Sequence, residues 1–378
     1  MRILFYAVNG LGLGHVTRLM AIAREIRNLK RGTEILFLTS SEADSIIYKE
    51  GFPAVKLPSK TIARESGMQA RIHSRMLQQT AWSVFSAFNP HVTVVDTFPL
   101  GFCYELDPVL MWKTCKFVFI YRQRKSEKAL DKRFQAALQR YNLVIVPHEK
   151  QEFGVAMPPG VRSLFAGKII IRGKKDLLPA ETVKQEFGLP PDKKNVLITL
   201  GGGGQKGLET QIDKVLDVLA GYPAVHPVVA QGNLLRCLNT RCTAANGNGR
   251  PYSVIKQYFP LCELYNAFDY VVAGCGYNTV NELLYFNKPA VYLPFERQVD
   301  DQVLRAQTIH DAGLGLKADP ENTDSIKESF NGLLDDDVYW AIKKNLGKMR
   351  FRNSAGKSAR AILKLGAPGI LGTWGEQP

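Results

Sequence analysis

The 378-residue sequence predicts an α/β protein made of two Rossmann-like domains, each a doubly wound parallel sheet. Three observations predict this. Short apolar runs alternate with amphipathic stretches at helical spacing, which is the rhythm of βα units. That rhythm is interrupted once, by a Lys-, Pro- and Gly-rich stretch at 167–195, and then restarts. The chain is also longer than one ordinary core accommodates. The boundaries implied are a first domain over 1–170, a linker over 171–194, a second domain over 195–350, and a closing helix and tail over 351–378.

The elements follow in order. Residues 2–8 form a continuous apolar run, as expected of a strand buried on both faces. Leu19, Ile22, Ala23, Ile26 and Leu29 then recur at helical spacing across 16–30. "EILFLTS" (34–40) reads as a second strand and "ADSIIYKEG" (43–51) as a helix closed by Gly51. "HVTVVD" (91–96), "KFVFIY" (116–121) and "NLVIVP" (142–147) are further strands with helical stretches between them. The interruption holds one short helix. The second series runs strand 196–204, helix 205–220, strands 227–232 and 252–259, helix 261–268, strand 270–276, helix 278–286, strand 290–295 and helix 300–312. "DDD" at 335–337 reads as a helix cap, and 353–365 as a basic amphipathic helix before an irregular tail.

Composition narrows the class. An apolar share of 45% and a charged share of 22% are those of a soluble globular protein. No apolar run reaches the roughly 18 residues that span a bilayer. "MRILFYAV" passes straight into a glycine turn without a cleavage-like site, so it reads as a first strand of a cytoplasmic protein. The six cysteines form no C-x-x-C pair, which argues for reduced thiols rather than a zinc set. The net charge is +14, and it is concentrated. Trp112 to Arg133 carries eight Lys/Arg against two acids, and Val338 to Gly375 carries eight with no acid. Such runs favour an anionic partner, whether nucleotide, phospholipid surface or nucleic acid, or else form a solvated face that serves solubility. No nucleic-acid-reading motif accompanies them, so nucleic acid is not an expected partner.

Three segments carry chemistry. "NGLGLGHVTR" (9–18) puts Gly10, Gly12 and Gly14 between a strand and a helix, where open α/β sheets bind ligands. His15 takes the slot after the third glycine and no acid closes the next strand, so a dinucleotide fingerprint is absent. "LGGGGQKG" (200–207) exposes backbone N–H groups ahead of a helix, which suits a phosphate, and it lacks the Lys-Ser/Thr ending of a Walker loop. "VVAGCGYNTVNELLYFNKPAVYLPFERQVDDQVLRA" (271–306) ends a strand in Gly-Cys-Gly and starts a helix with Asn278 or Thr279 as cap. Glu282 falls one turn in, and Asp301-Gln302 open the next helix. Asp96, at a strand end in "VVDTFP", has the type and place to orient a histidine, although a strand-end aspartate also caps turns.

Together these segments resemble the GT-B glycosyltransferases, closest to the branch that adds N-acetylglucosamine to lipid-linked muramyl-pentapeptide. The resemblance implies two domains facing across a cleft, with the C-terminal helix crossing back. It implies His15 as general base or transition-state stabiliser, oriented by Asp96. It implies donor diphosphate and nucleotide contacts from Gly14, Gly202, Gly203, Gly204, Gly276, Tyr277, Asn278 and Thr279, with Glu282 on the ribose and Asp301 and Gln302 on the donor sugar. The nucleobase is expected near Tyr258 to Leu264. The donor is expected to be a nucleoside diphosphate hexose or aminohexose, on UDP, and the acceptor a hydroxyl, lipid-linked in that branch and reached by peripheral contact with the cytoplasmic face of a membrane. Transfer would be inverting, and no metal or other cofactor is expected. "GHVTR" is equally similar to a nucleotide-sugar hydrolase of the same fold, in which His15 would activate water. The family's second glycine loop carries a serine near the position of Gly204, and residues 56–88 match no segment of the family.

Overall fold

The computed structural model describes residues 1–8, 12–122, 131–202, 207–232, 243–245, 251–296 and 300–367. Seven strands build the first sheet: β1 (Arg2–Ala7), β2 (Glu34–Thr39), β3 (Ala54–Lys56), β4 (Val92–Asp96), β5 (Lys116–Ile120), β6 (Leu143–Val146) and β7 (Ser163–Phe165). They are ordered β3-β2-β1-β4-β5-β6-β7 and all are parallel. Around them lie α1 (Gly14–Leu29), α2 (Ser45–Lys49), α3 (Lys60–Glu65), α4 (Ala70–Phe88), α5 (Leu106–Trp112) and α6 (Lys132–Leu138).

Alternation along each strand feeds the two faces. Ile3, Phe5 and Ala7 of β1 join the core under α1, while Leu4, Tyr6 and the following Val8 enter a separate cluster on the other face. That second cluster is aromatic, with Phe117, Phe119 and Tyr121 of the β5 segment meeting Phe134 and Tyr141. Each such side chain contributes roughly 1.5–3 kcal/mol by leaving water.

Residues 56–88, unplaced by resemblance, hold the end of β3, α3 and the long α4. Ser59 starts α3 by accepting from the Ile62 N–H. One stripe of α4, His73, Leu77, Ala81 and Phe85, is buried at a spacing of four.

The second sheet contains β8 (Lys194–Thr199), β9 (Val225–Gln231), β10 (Thr243–Ala245), β11 (Pro251–Lys256), β12 (Tyr270–Gly274), β13 (Ala290–Leu293) and β14 (Leu316–Lys317). Its order is β10-β11-β9-β8-β12-β13-β14, parallel except for the antiparallel β10 at the edge. The helices are α7 (Ala180–Phe187) before this sheet, then α8 (Leu208–Leu219), α9 (Tyr277–Tyr285), α10 (Gln302–Asp311), α11 (Thr323–Leu334), α12 (Asp336–Lys348) and α13 (Ala355–Gly366).

Several expectations shift in detail. Residues 261–267, read as a helix, form a 3-10 helix after Pro260. The α9 helix starts at Tyr277, one residue ahead of the caps expected. Gly276 occupies the cap position without a side-chain bond, and Asn278 and Thr279 lie inside the first turn. Asp335 caps α12 by accepting from the Val338 N–H at 3.1 Å. Helix α13 returns to the first domain and lies along α1, with Gly366 close against Met1 and Val92 and the Lys357 ammonium donating to the Phe165 carbonyl.

Both sheets reverse their winding beside their first strand, β1 against β4 and β8 against β12. A crevice opens at each reversal, beyond the carboxyl ends of the strands. The loops leaving those four strands carry the residues described next.

Candidate active site between the two switch points

A cavity of about 600 Å³ lies between the two reversals and is lined by both domains. From the first domain come Gly12 to His15, Thr17, Arg18, Thr97, Phe98 and Arg122. From the second come Gly201, Gly202, Gly276 to Thr279, Glu282, Asp300 and Gln302, and an apolar end is built from Ile255, Tyr258, Phe259, Pro260 and Leu261. The size suits a nucleotide-scale ligand.

The turn after β1 delivers His15. Gly12 takes a φ of 100°, a conformation a side chain resists, and His15 then falls in the first turn of α1. Asp96 ends β4, beside β1 in the sheet. The His15 Nδ1 lies 3.1 Å from Asp96 Oδ1. Thr97 takes a φ of 77°, and this strained step turns its hydroxyl back to donate to Asp96 Oδ1 at 2.7 Å and to meet His15 Nδ1. Arg18, one helical turn beyond His15, donates from Nε to Asp96 Oδ2 at 2.9 Å and from Nη2 to Oδ1 at 3.0 Å. Its side chain is 1% exposed, that of Asp96 0% and that of His15 13%.

Burial works against ionised Asp96, but the Arg18 charge, then His15 where acid protonates it, and the hydrogen bonds from His15 and Thr97 outweigh it and hold the carboxyl at about 2. Burial is the largest influence on His15 and lowers its pKa below the ordinary 6.5. Asp96 opposes that, while Arg18 and Arg122 add to it. His15 is therefore neutral at neutral pH. In the tautomer whose Nδ1–H faces Asp96 and the Thr97 hydroxyl, the Nε2 lone pair is the position that can take a proton.

Across the cavity, α9 points its N-terminus inward beside Gly202. Gly274 must be glycine here, because a Cβ would lie 2.8 Å from the Leu200 carbonyl oxygen. Asn278 donates from Nδ2 to the Gly14 carbonyl of the other domain at 3.2 Å, and its Oδ1 is buried without a partner among the described residues. The Tyr277 hydroxyl donates to the Pro147 carbonyl, also across the cleft. Gly203 and Gly204 lie outside the described residues.

Glu282 lies one turn into α9, where burial raises its pKa to about 7 and the Tyr265 hydroxyl and the Arg172 charge only partly compensate. A carboxylate so poorly partnered gains from hydroxyls that donate to it. Beyond it, Tyr258 bonds Glu263, which pairs with Arg172, which in turn pairs with Glu50 of the first domain.

The adjacent acids 300 and 301 divide their work. Asp301 caps α10 by accepting from the Leu304 N–H at 3.0 Å and is exposed, away from the cavity lining. Asp300 lines the cavity and accepts from Arg122 and Arg305, each at 2.7 Å. Burial opposes its charge, but the two guanidinium groups prevail and hold it at about 2. Gln302 lines the cavity, with Oε1 accepting from the Phe295 N–H at 3.0 Å, which leaves its amide N–H groups to serve a ligand. Sequence reasoning did not single out Thr97, Asp300 or Arg305. A helix rotates about 100° per residue, so two adjacent acids at its start cannot both face one cavity, but the sequence does not say which does. Arg122 and Arg124, which by their place after a strand could meet phosphates or acceptor or simply belong to a solvated charge run, part company: Arg122 lines the cavity and Arg124 lies outside the described residues.

Comparison with known proteins adds three findings. Residues 195–345 match the glycosyltransferase family 28 C-terminal domain. The UDP-N-acetylglucosamine–N-acetylmuramyl-(pentapeptide) pyrophosphoryl-undecaprenol N-acetylglucosamine transferase of Aquifex aeolicus is 30% identical over 206 residues, 53% of this chain and 54% of that protein, so this likeness spans about half of each. An uncharacterized glycosyltransferase of Methanosarcina acetivorans is 22% identical, with 96% of this chain and 98% of the relative aligned. Among solved structures, the kitacinnamycin glycotransferase superposes with a TM-score of 0.64 at 16% identity over 96% of this chain and 98% of that one. The MurG of Acinetobacter baumannii gives 0.59 at 14% identity, over 96% and 100%.

Proposed function

We propose that this chain, a GT-B glycosyltransferase in fold and in its family 28 C-terminal domain, moves a hexose or aminohexose from a nucleoside diphosphate, UDP in our reading, to a hydroxyl acceptor. The observation that carries it is a neutral, Asp96-pinned His15 facing the N-terminus of α9 across one cavity.

In this reading the acceptor hydroxyl binds at His15. Its oxygen attacks the anomeric carbon, its proton passes to His15 Nε2, and the bond to the β-phosphate breaks with the electron pair on the phosphate oxygen. The N–H groups at the start of α9 and at Gly202 stabilise that oxygen. Asp96 is fully buried and both its oxygens are held, by Arg18, Thr97 and His15, so it is not presented to an anomeric carbon as a nucleophile, and one displacement with inversion is favoured. The helix N-terminus supplies charge compensation that the reaction would otherwise draw from a metal. The apolar end around Tyr258 and Pro260 suits a nucleobase and Glu282 the ribose. Gln302 suits the donor sugar, and Asp301 meets it only if its cap bond is exchanged.

Donor binding should depend on Glu282 and on its ionisation. Two ribose hydroxyls donating to a carboxylate are worth about 1.5–3 kcal/mol each, so Glu282→Ala should weaken UDP at least about tenfold. The free carboxyl titrates at about 7, and the bound form favours the carboxylate. Affinity should therefore be constant above that pH and fall as pH drops through it, by up to about tenfold per unit. Calorimetry from pH 5.5 to 8.5 checks both. Unchanged affinity in a folded Glu282→Ala protein would remove Glu282 from the site.

The acceptor side has a membrane-suited surface. Among the described residues no helix is long and apolar enough to cross a membrane. Ile72 and Met76 on α4 and Met111 and Trp112 on α5 are exposed, Trp112 to 57%. The Trp82 indole and Gln78 amide of α4 bind the Cys103–Glu105 backbone just ahead of α5, which keeps the two helices together. Lys60, Arg64, Arg71, Arg75 and Lys113 are exposed nearby in sequence. Each basic residue near an anionic surface is worth about 1 kcal/mol, so binding without insertion and with strong salt sensitivity is expected. Co-sedimentation with acidic liposomes should be seen at low salt and fade as salt rises, and neutral liposomes should recover little. Failure at low salt would turn the search toward a water-soluble acceptor.

A panel of nucleotide sugars, incubated with the protein without acceptor, tests the reading. Binding with slow release of nucleoside diphosphate supports a transferase. Rapid release assigns His15 to water and the protein to hydrolysis. No binding of any of them would refute the donor site.

A further inference from the structure

We propose that Arg122 is a further catalytic residue, one that exchanges Asp300 for the donor diphosphate as the sugar bond breaks. This rests on the reading that the cavity holds a nucleoside diphosphate sugar. Arg122 follows β5 of the first domain, yet its Nη1 donates to Asp300 Oδ1 of the second domain at 2.7 Å. The pair lies within the cavity lining, and the Arg122 guanidinium carbon is 6.0 Å from the ring centre of Tyr277, the first residue of α9. A cation from the acceptor-side domain thus stands beside the helix start where the leaving diphosphate would gather charge.

Among the described arginines of the cavity, Arg18, Arg122 and Arg305, the charges are arranged so that Arg122 is the one that can be released. Arg18 is neutralised by Asp96 through two hydrogen bonds. Arg305 holds Asp300 with Nη2 to Oδ1 at 2.7 Å and Nη1 to Oδ2 at 3.3 Å, and is itself anchored by the Cys275 carbonyl at 2.8 Å. Arg122 can therefore leave Asp300 without stranding a buried carboxylate, whereas Arg305 stays on its own domain. Among the described residues, Arg122 spends one N–H on a hydrogen bond, to Asp300, and its side chain is 15% exposed. An entering diphosphate carries more negative charge than one carboxylate and accepts from a guanidinium at two oxygens. The exchange moves no proton. Arg122 remains charged, the acceptor proton goes to His15, and the electron pair of the broken bond rests on the β-phosphate oxygen that Arg122 then contacts.

The arrangement makes a prediction of unusual sign, that removing a cavity acid tightens binding. Calorimetry with inorganic pyrophosphate and with the nucleoside diphosphate that the wild type binds best should show Asp300→Asn binding both about threefold to tenfold more tightly, the scale of one charge-assisted hydrogen bond made without competition. The corresponding nucleoside should bind equally to both proteins. Arg122→Gln should lower kcat at saturating donor by about 10²-fold, with Arg122→Lys recovering part of it, and the double variant should lose the gain in diphosphate affinity. A merely structural ion pair would instead lower melting temperature and affinity together in Asp300→Asn. Unchanged or weaker diphosphate binding in folded Asp300→Asn overturns the proposal, as does a gain that persists in the double variant. Should Asp300→Asn fail to fold, an Arg122→Gln protein with normal kcat overturns it equally. Wild-type protein that binds no nucleotide removes the donor site itself, whereas normal wild-type binding with a failed Asp300 comparison removes only the role of Arg122.

Discussion

Replacing His15 by alanine is expected to reduce kcat by about 10²–10⁴-fold, the usual contribution of a positioned base, while nucleotide affinity stays within a factor of about two. The separation follows from the architecture. His15 leaves β1 of the first sheet, and the proposed nucleotide contacts leave β8 and β12 of the second. The pH profile gives an independent reading. His15 is active when neutral and its pKa lies below the ordinary 6.5, so the acid limb of kcat should fall below that value. The acid limb of donor affinity should sit near the Glu282 value of about 7. Two limbs, one in kcat and one in binding, distinguish the two groups in a single titration. Loss of affinity in His15→Ala with kcat preserved at saturating donor would reverse the roles of the domains.

Arg18→Met is expected to produce the largest loss of stability, about 3–5 kcal/mol, since it leaves Asp96 buried and uncompensated. The sign with pH is specific. In the wild type the Asp96 carboxyl is held near 2 against 3.8 in the unfolded chain. Its contribution is therefore fully present above 3.8 and is lost as pH falls through about 2. Without Arg18, burial dominates and raises the Asp96 pKa, so acidification should relieve the variant instead of stressing it. A double variant, Arg18→Met with Asp96→Leu, should regain much of the stability, because it removes both charges. Catalysis should suffer as well: an Asp96 field no longer offset by Arg18 raises the His15 pKa and moves the acid limb of kcat upward. Urea unfolding between pH 4 and 8, with the matching rate profile, measures both effects. Equal stability of Arg18→Met and wild type at pH 7 would show that Asp96 is not held by this pair.

Much of this frame is legible from residue order because parallel strands buried on both faces read as plain apolar runs, as in 2–8 and 91–96. What is harder has physical reasons. The buried stripe of α4 runs through His73 and Ala81, which weakens its apolar period, and Ser59 is the only cap that announces the preceding α3. At 261–267 the apolar spacing fits an α-helix, but Pro260 and the short span leave a 3-10 helix. In the site, glycine loops and Glu282 announce themselves by their place between strand and helix. The Arg18–Asp96 pair spans 78 residues of sequence and becomes visible only once β1 and β4 are neighbours. Which of acids 300 and 301 faces the cavity depends on a cap hydrogen bond, and sequence spacing does not encode it.

The return of α13 to the first domain has a consequence for biosynthesis. Ala355, Ala359 and Ile362 of α13 are buried where it meets α1, which precedes it in the chain by the whole of the second sheet. While the ribosome is still making the second domain, the surface of α1 that α13 will cover stays open to water. The first domain therefore completes its packing only when residues 355–366 arrive, unlike a leading domain that closes its own core.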